Sequence, residues 1–245
     1  LELTSNSENT DSPKLVNIEM PLNNLSNNLP FTEIQSAALY HLYPKYGKLP
    51  NLSVTKTNLL EAFGEYEGYF NFTGHGNHKL DKPRESALQL TNTEELTLAD
   101  IFEYQKLDLR KYQLICLSAC ETGITSHESS KERIIDEYVG LVSGFLAKGA
   151  NHVVSTLWRV DELSTALLII KFYQLLKQRQ TPTIALRQAK DWLRQLTYKC
   201  LVKFYSKLAN ELGDLQVRAY LKTEAQIIKN DPKKKEATEP PYAHP

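Results

Sequence analysis

"YQLICLSACETG", residues 112–123, decides the fold. Its first eight residues lack the strict polar alternation of a half-exposed strand, and near-continuous apolar strands belong to parallel sheets covered on both faces. A second run of the same kind is "HVVSTLW" at 152–158, and "GYFNFT" at 68–73 is an aromatic strand. Helical patterns separate them. The expectation is therefore an α/β fold, a sandwich with a mostly parallel central sheet and helices on both faces. In such sheets the working residues gather at the carboxyl ends of the strands.

The helices announce themselves by their ends. "TEIQSAALYHLYP" starts at Thr32 as N-cap and stops near Pro44; a second helix starts at Thr57 or Asn58. Thr97 caps a short one. "DEYVGLVSGFLAKGA" carries an apolar stripe and stops at Gly149, and another helix covers 161–178 with Asp161 as N-cap. Thr181-Pro182 opens the next in the cap-then-proline order, and helix continues past residue 200 with a break near Gly213. Residues 1–25 read as a linker or extended arm, 26–229 as the domain, and 230–245 as a charged, Pro-rich tail.

Composition narrows the function. The 29 basic and 29 acidic residues cancel, so no bulk field favours nucleic acid or a membrane surface. No apolar run reaches the roughly 18 residues of a spanning helix. Three cysteines in 245 residues make no disulfide framework. A reducing, cytoplasmic setting is expected.

Two residues fall at predicted strand ends. In "YFNFTGHGNH", residues 69–78, His75 stands between two glycines. The spacing reads as a hinge just past the strand, where His75 either points at solvent from a tight turn or acts as general acid and base beside a bared Gly76 N–H. Cys116 lies inside its apolar strand and suits a buried small residue. Cys120 comes where Ser118-Ala119 close that strand and Glu121-Thr122-Gly123 open a polar loop. A thiol there, with an imidazole on the same sheet edge, is an activated nucleophile. Zinc is disfavoured, because four residues along a strand span about 13 Å, whereas two zinc-bound sulfurs lie within about 4.6 Å. No G-x-S-x-G elbow offers a serine nucleophile.

A histidine after one strand and an Ala-Cys pair after another resembles the caspase arrangement. The segments "FNFTGHGN", "LSACETG", "EYVGLVSGFLAKGANHVVSTLWRVDE" and "FYQLLKQRQTPTIALRQAKDWL" together resemble the CHAT domains, bacterial relatives of caspases and separases found behind TPR repeats. The likeness covers residues 25–200. It implies a cysteine endopeptidase with His75 and Cys120 as its dyad, and with the amides of Gly76 and Cys120 holding the oxyanion. It also implies a protein substrate, an upstream TPR or other regulatory region, and no metal or organic cofactor.

Trp158, Asp161, Glu162 and Ser118 are implied as substrate-binding residues, with Asp161 or Glu162 selecting a basic P1 residue despite Arg159 nearby. Ser118 replaces the caspase glutamine. The segment 121–133 is polar, carries a glycine and adjoins Cys120, and is expected to be a mobile activation loop with Lys131 and Arg133 as self-cleavage sites. The resemblance further implies a chain lacking both an opening strand and an apolar final strand, with a sheet edge left exposed. A catalytically silent interaction module is the alternative.

Overall fold

The computed structural model describes residues 14–19, 31–44, 54–77, 79, 82–121, 140–156, 161–237 and 240–242. Among the described residues six strands form one sheet: β1 (Leu15–Glu19), β2 (Gly68–Asn77), β3 (Ala87–Gln89), β4 (Glu95–Thr97), β5 (Tyr112–Glu121) and β6 (Val153–Ser155). The order is β4-β3-β2-β5-β6, and β1 pairs with β2 on the edge away from β5, the edge that β3 takes over from Gly76. β1, β2, β5 and β6 run parallel, and only the short β3 and β4 are antiparallel. The α/β sandwich read from the sequence is the architecture observed.

Alternation along the strands divides the core. Val16, Ile18, Phe70, Phe72, Ile115 and Leu117 share one face. They pack on α2 (Lys56–Glu65), α3 (Leu98–Glu103) and the helix over residues 140–147, here α4. On the opposite face Leu15, Tyr69, Leu114 and Cys116 meet α1 (Phe31–Leu42), α5 (Glu162–Lys177) and α6 (Pro182–Arg194). Both faces of the parallel strands are thus dry, which is why β5 reads as a near-continuous apolar run. A third cluster lies off the sheet: α7 (Tyr198–Glu211) and α8 (Leu215–Asn230) pack on Ile34 and Ala38 of α1 and on Leu167 and Ile170 of α5.

Several helix ends fall where their signals put them. Asp161 caps α5, its carboxylate accepting from the Ser164 N–H at 2.9 Å. Thr181 and Pro182 open α6. Thr97 and Asp100 form a reciprocal capping box on α3. Gly149, at φ +101°, closes α4, where a Cβ would come within 2.5 Å of the Arg110 side chain. The break near Gly213 separates α7 from α8.

Other expectations are corrected. The arm over 1–25 contains β1, whose residues Leu15, Val16 and Ile18 are buried beside β2. The tail at 230–245 includes α9 (Pro232–Glu236), and Tyr242 packs on the α7–α8 cluster. Thr32 is the second residue of α1, not its cap. Thr55 caps α2, two or three residues before the expected start. The strand expected over 152–158 is described as Val153–Ser155. β3 and β4, three residues each, went unread.

Candidate active site

β2 does not end at Thr73. It runs through Gly74, His75 and Gly76 to Asn77 as extended strand. β5 likewise runs through Cys120 to Glu121. The hinge reading of Gly-His-Gly is therefore wrong, and both residues lie within strands rather than just past them. Pairing explains this: a stretch of weak strand propensity stays extended when its backbone is held from both sides. β5 holds it from Gly74 to Gly76, and β3 joins on the other side at Gly76 and Asn77.

The parallel register sets Thr73 opposite Ser118, Gly74 opposite Ala119, and His75 opposite Cys120. Adjacent strands lie about 4.8 Å apart, so the backbones of the two candidate reactive residues are immediate neighbours. β1 ends opposite Thr73 and β3 begins opposite Gly76. His75 thus stands where β2 exchanges one neighbour for another. Both residues lie at the carboxyl edge that α/β sheets use for chemistry.

Positions 69, 71, 73 and 75 of β2 share a face with positions 114, 116, 118 and 120 of β5. Toward that edge the residues change character. Tyr69 and Leu114 are apolar, Asn71 and Cys116 are buried and polarisable, Thr73 and Ser118 are buried hydroxyls, and His75 is half-buried.

Beneath the edge runs a hydrogen-bonded ladder. Gln35 of α1 donates to the Thr73 Oγ1 at 2.7 Å, and the Asn71 Nδ2 donates to the same oxygen at 3.1 Å. The Asn71 Nδ2 also donates to the Asn17 Oδ1 at 2.7 Å, and the Asn17 Nδ2 donates to the Ser36 Oγ at 2.7 Å. The sequence reading missed all five side chains. One signal was there: Asn71, Thr73 and His75 recur at a spacing of two on an otherwise aromatic strand.

Cys116 is fully buried, and burial pushes its thiol up to about 12, partly offset by a hydrogen bond from Tyr173. It suits the structural role read from the sequence. Ser118 is only 4% exposed, so a substrate does not reach its side chain without rearrangement. Gly76 sits between Leu88 and Glu121. Asp161 and Glu162 are exposed at the start of α5, which follows β6 at the same edge. Glu162 is the first residue of α5 and Asp161 its N-cap, so neither lies in a strand. Trp158, Arg159, Lys131 and Arg133, and residues 122–133 of the expected mobile segment, lie outside the described residues.

Among the described residues no group of three or more His, Cys, Asp or Glu side chains could hold a metal ion, and no helix is long and apolar enough to cross a membrane.

No curated protein matches the chain. Among solved structures it is similar to the Arg-specific cysteine proteinase gingipain R, with a TM-score of 0.45 and 13% identity over 81% of this chain. It spans 44% of that protein. It is also similar to pyridoxal kinase from Lactobacillus plantarum, with a TM-score of 0.36 and 11% identity, covering 87% of this chain and 98% of that one. Scores this low decide nothing about the chemistry. The family comparison is decisive, because residues 19–236 match the CHAT domain, and the chain belongs to the CHAT-domain family.

Proposed function

We propose that this CHAT domain is a cysteine endopeptidase with His75 and Cys120 as its dyad. The observation that carries the reading is the pairing of positions 75 and 120 on adjacent parallel strands at the carboxyl edge of the sheet. An imidazole there takes the thiol proton, and the thiolate attacks the peptide carbonyl. The proton then passes from His75 to the leaving amine as the C–N bond breaks. Water, deprotonated by His75, hydrolyses the thioester and restores the thiol.

The oxyanion falls to the amides of Cys120 and Gly76. For Gly76 this requires its N–H to leave the ladder with β3 or β5 when a carbonyl arrives. Asp161 or Glu162 selects Arg or Lys at P1, with Trp158 also lining the substrate path. The substrate is a protein, the setting is cytoplasmic, and a regulatory region such as TPR repeats supplies control.

The test is hydrolysis of fluorogenic peptides differing only at P1, with a peptide chloromethyl ketone as covalent probe. Cys120→Ala and His75→Ala should each abolish turnover while the thermal unfolding of the parent is retained. Turnover equal to the parent in the Cys120 variant ends the peptidase reading and leaves an interaction module.

A further inference from the structure

We infer that the buried ladder from α1 to β2 positions His75, with Gln35 and Thr73 as positioning residues. The inference rests on the dyad reading, but it can be tested apart from turnover.

The physical case begins with the glycines. Gly74 and Gly76 lie on the face of β2 opposite His75, the face that Phe70 and Phe72 use to grip the core. Beyond Phe72 that face has no side chain with which to hold the strand. On the His75 face, the last side chain before the imidazole is Thr73. Among the described residues β1 pairs with β2 up to Thr73 and β3 takes over from Gly76, so His75 lies at the changeover. β5 pairs the backbone of the segment carrying His75, while Phe72 below one face and Thr73 below the other are the nearest side chains of β2 that fix its height over the helices.

Thr73 is held firmly. Its hydroxyl oxygen accepts from both Gln35 and Asn71, which fills both acceptor positions of a hydroxyl. Thr73 is 5% exposed, Gln35 2% and Asn71 0%. Burying such amides is costly unless each is hydrogen-bonded, and in a strand face otherwise filled by Tyr69 and Leu114 an apolar residue would pack as well. Gln35 and Ser36 are consecutive on α1 and reach two strands, Thr73 on β2 and Asn17 on β1. Fully satisfied buried networks of this kind rigidify what they hold. α1 thus sets the height and tilt of the strand end from which the imidazole projects.

The test uses the full chain in a Cys200→Ser background, because Cys200 is exposed and would otherwise alkylate. The variants are Thr73→Val, which removes the hydroxyl at constant shape, Gln35→Met, which removes one donor, and Thr73→Ser, which keeps the hydroxyl. Two quantities are read: the titration of the His75 ring by NMR, assigned with His75→Gln, and the pH profile of Cys120 alkylation by iodoacetamide.

Thr73→Val and Gln35→Met should shift or broaden the His75 ring signals and slow alkylation at neutral pH by about tenfold, the scale expected when a reacting group is displaced by a fraction of an ångström. Thr73→Ser should restore both. Should Thr73→Val not fold, Gln35→Met carries the test, since it leaves Thr73 its Asn71 donor. Parental ring titration and alkylation in these variants, with only a lower unfolding midpoint, would overturn the inference and leave the ladder a structural element. The ring titration needs no substrate, so it answers even for a chain that hydrolyses nothing. An alkylation profile unchanged by His75→Ala, in contrast, defeats the dyad and not the ladder.

Discussion

Cys116 and Cys120 lie four residues apart on one strand, yet Cys116 is held as a neutral thiol by full burial. Alkylation of the folded Cys200→Ser protein in mildly alkaline buffer should add one adduct, at Cys120, read by intact mass and peptide mapping. An adduct on Cys116 without unfolding would contradict its burial. The folded thiol ionises near 12 against an ordinary 9, so its contribution to stability is complete below pH 9 and fades as the pH climbs toward 12.

Asp161 carries a different lesson. Its carboxylate caps α5, so Asp161→Ala should cost about 1 kcal/mol of stability, read as a lower denaturant midpoint. Asp161→Asn keeps an accepting oxygen and should cost much less. A P1 preference is therefore to be measured on the asparagine variant, where a change reports charge and not a frayed helix.

Among the elements, β2 shows where local signals stop. The capped helices and the dry strand β5 were legible, because caps and apolar runs act within a few residues. The last four residues of β2 were not, since Gly-His-Gly has little strand propensity and is extended only by pairing with β3 and β5, which lie elsewhere in the sequence. His75 and Cys120 were singled out as candidates by chemistry and resemblance, while their adjacency required the register. The ladder was hidden for the same reason, as Gln35 and Thr73 are 38 residues apart.

The start of β2 is equally constrained. Gly68 has φ +99°, and a Cβ there would sit 2.4 Å from the Lys14 carbonyl oxygen. Gly68→Ala should cost about 1–3 kcal/mol, read by thermal unfolding, and parental stability would show that β1 can shift. At α3, burial alone would raise the Asp100 pKa, but hydrogen bonds from Lys56 and Thr97 outweigh it and hold it below the usual range. The capping box should therefore help above about pH 4 and be lost as the pH falls through the lowered value. Amide exchange in α3 would accelerate selectively in acid, and equal exchange on both sides of that range would refute it.

Over the whole molecule, tyrosines tie the layers together. Burial foremost raises Tyr112, Tyr173, Tyr205 and Tyr242 above the ordinary phenol value of 10, and these residues span the sheet core and the α7–α8 cluster. Unfolded, all four would ionise near 10, so the fold should lose stability steeply above that pH. Tyrosinate absorbance should rise in a cooperative step that coincides with loss of circular dichroism. Smooth ionisation of all 13 tyrosines in a folded chain would contradict it.

The pairing of His75 with Cys120 also has a consequence in time. The two positions are separated by about 45 residues of chain, and β1 meets β2 across a gap of 54 between Asn17 and Asn71. Such distant parallel pairings close large loops before any contact rewards them, and they form late in folding. While the chain is being synthesised, β2 waits for β5 to emerge. Positions 75 and 120 become neighbours only after synthesis has passed β5, so topology itself sets the earliest moment at which this sheet edge exists.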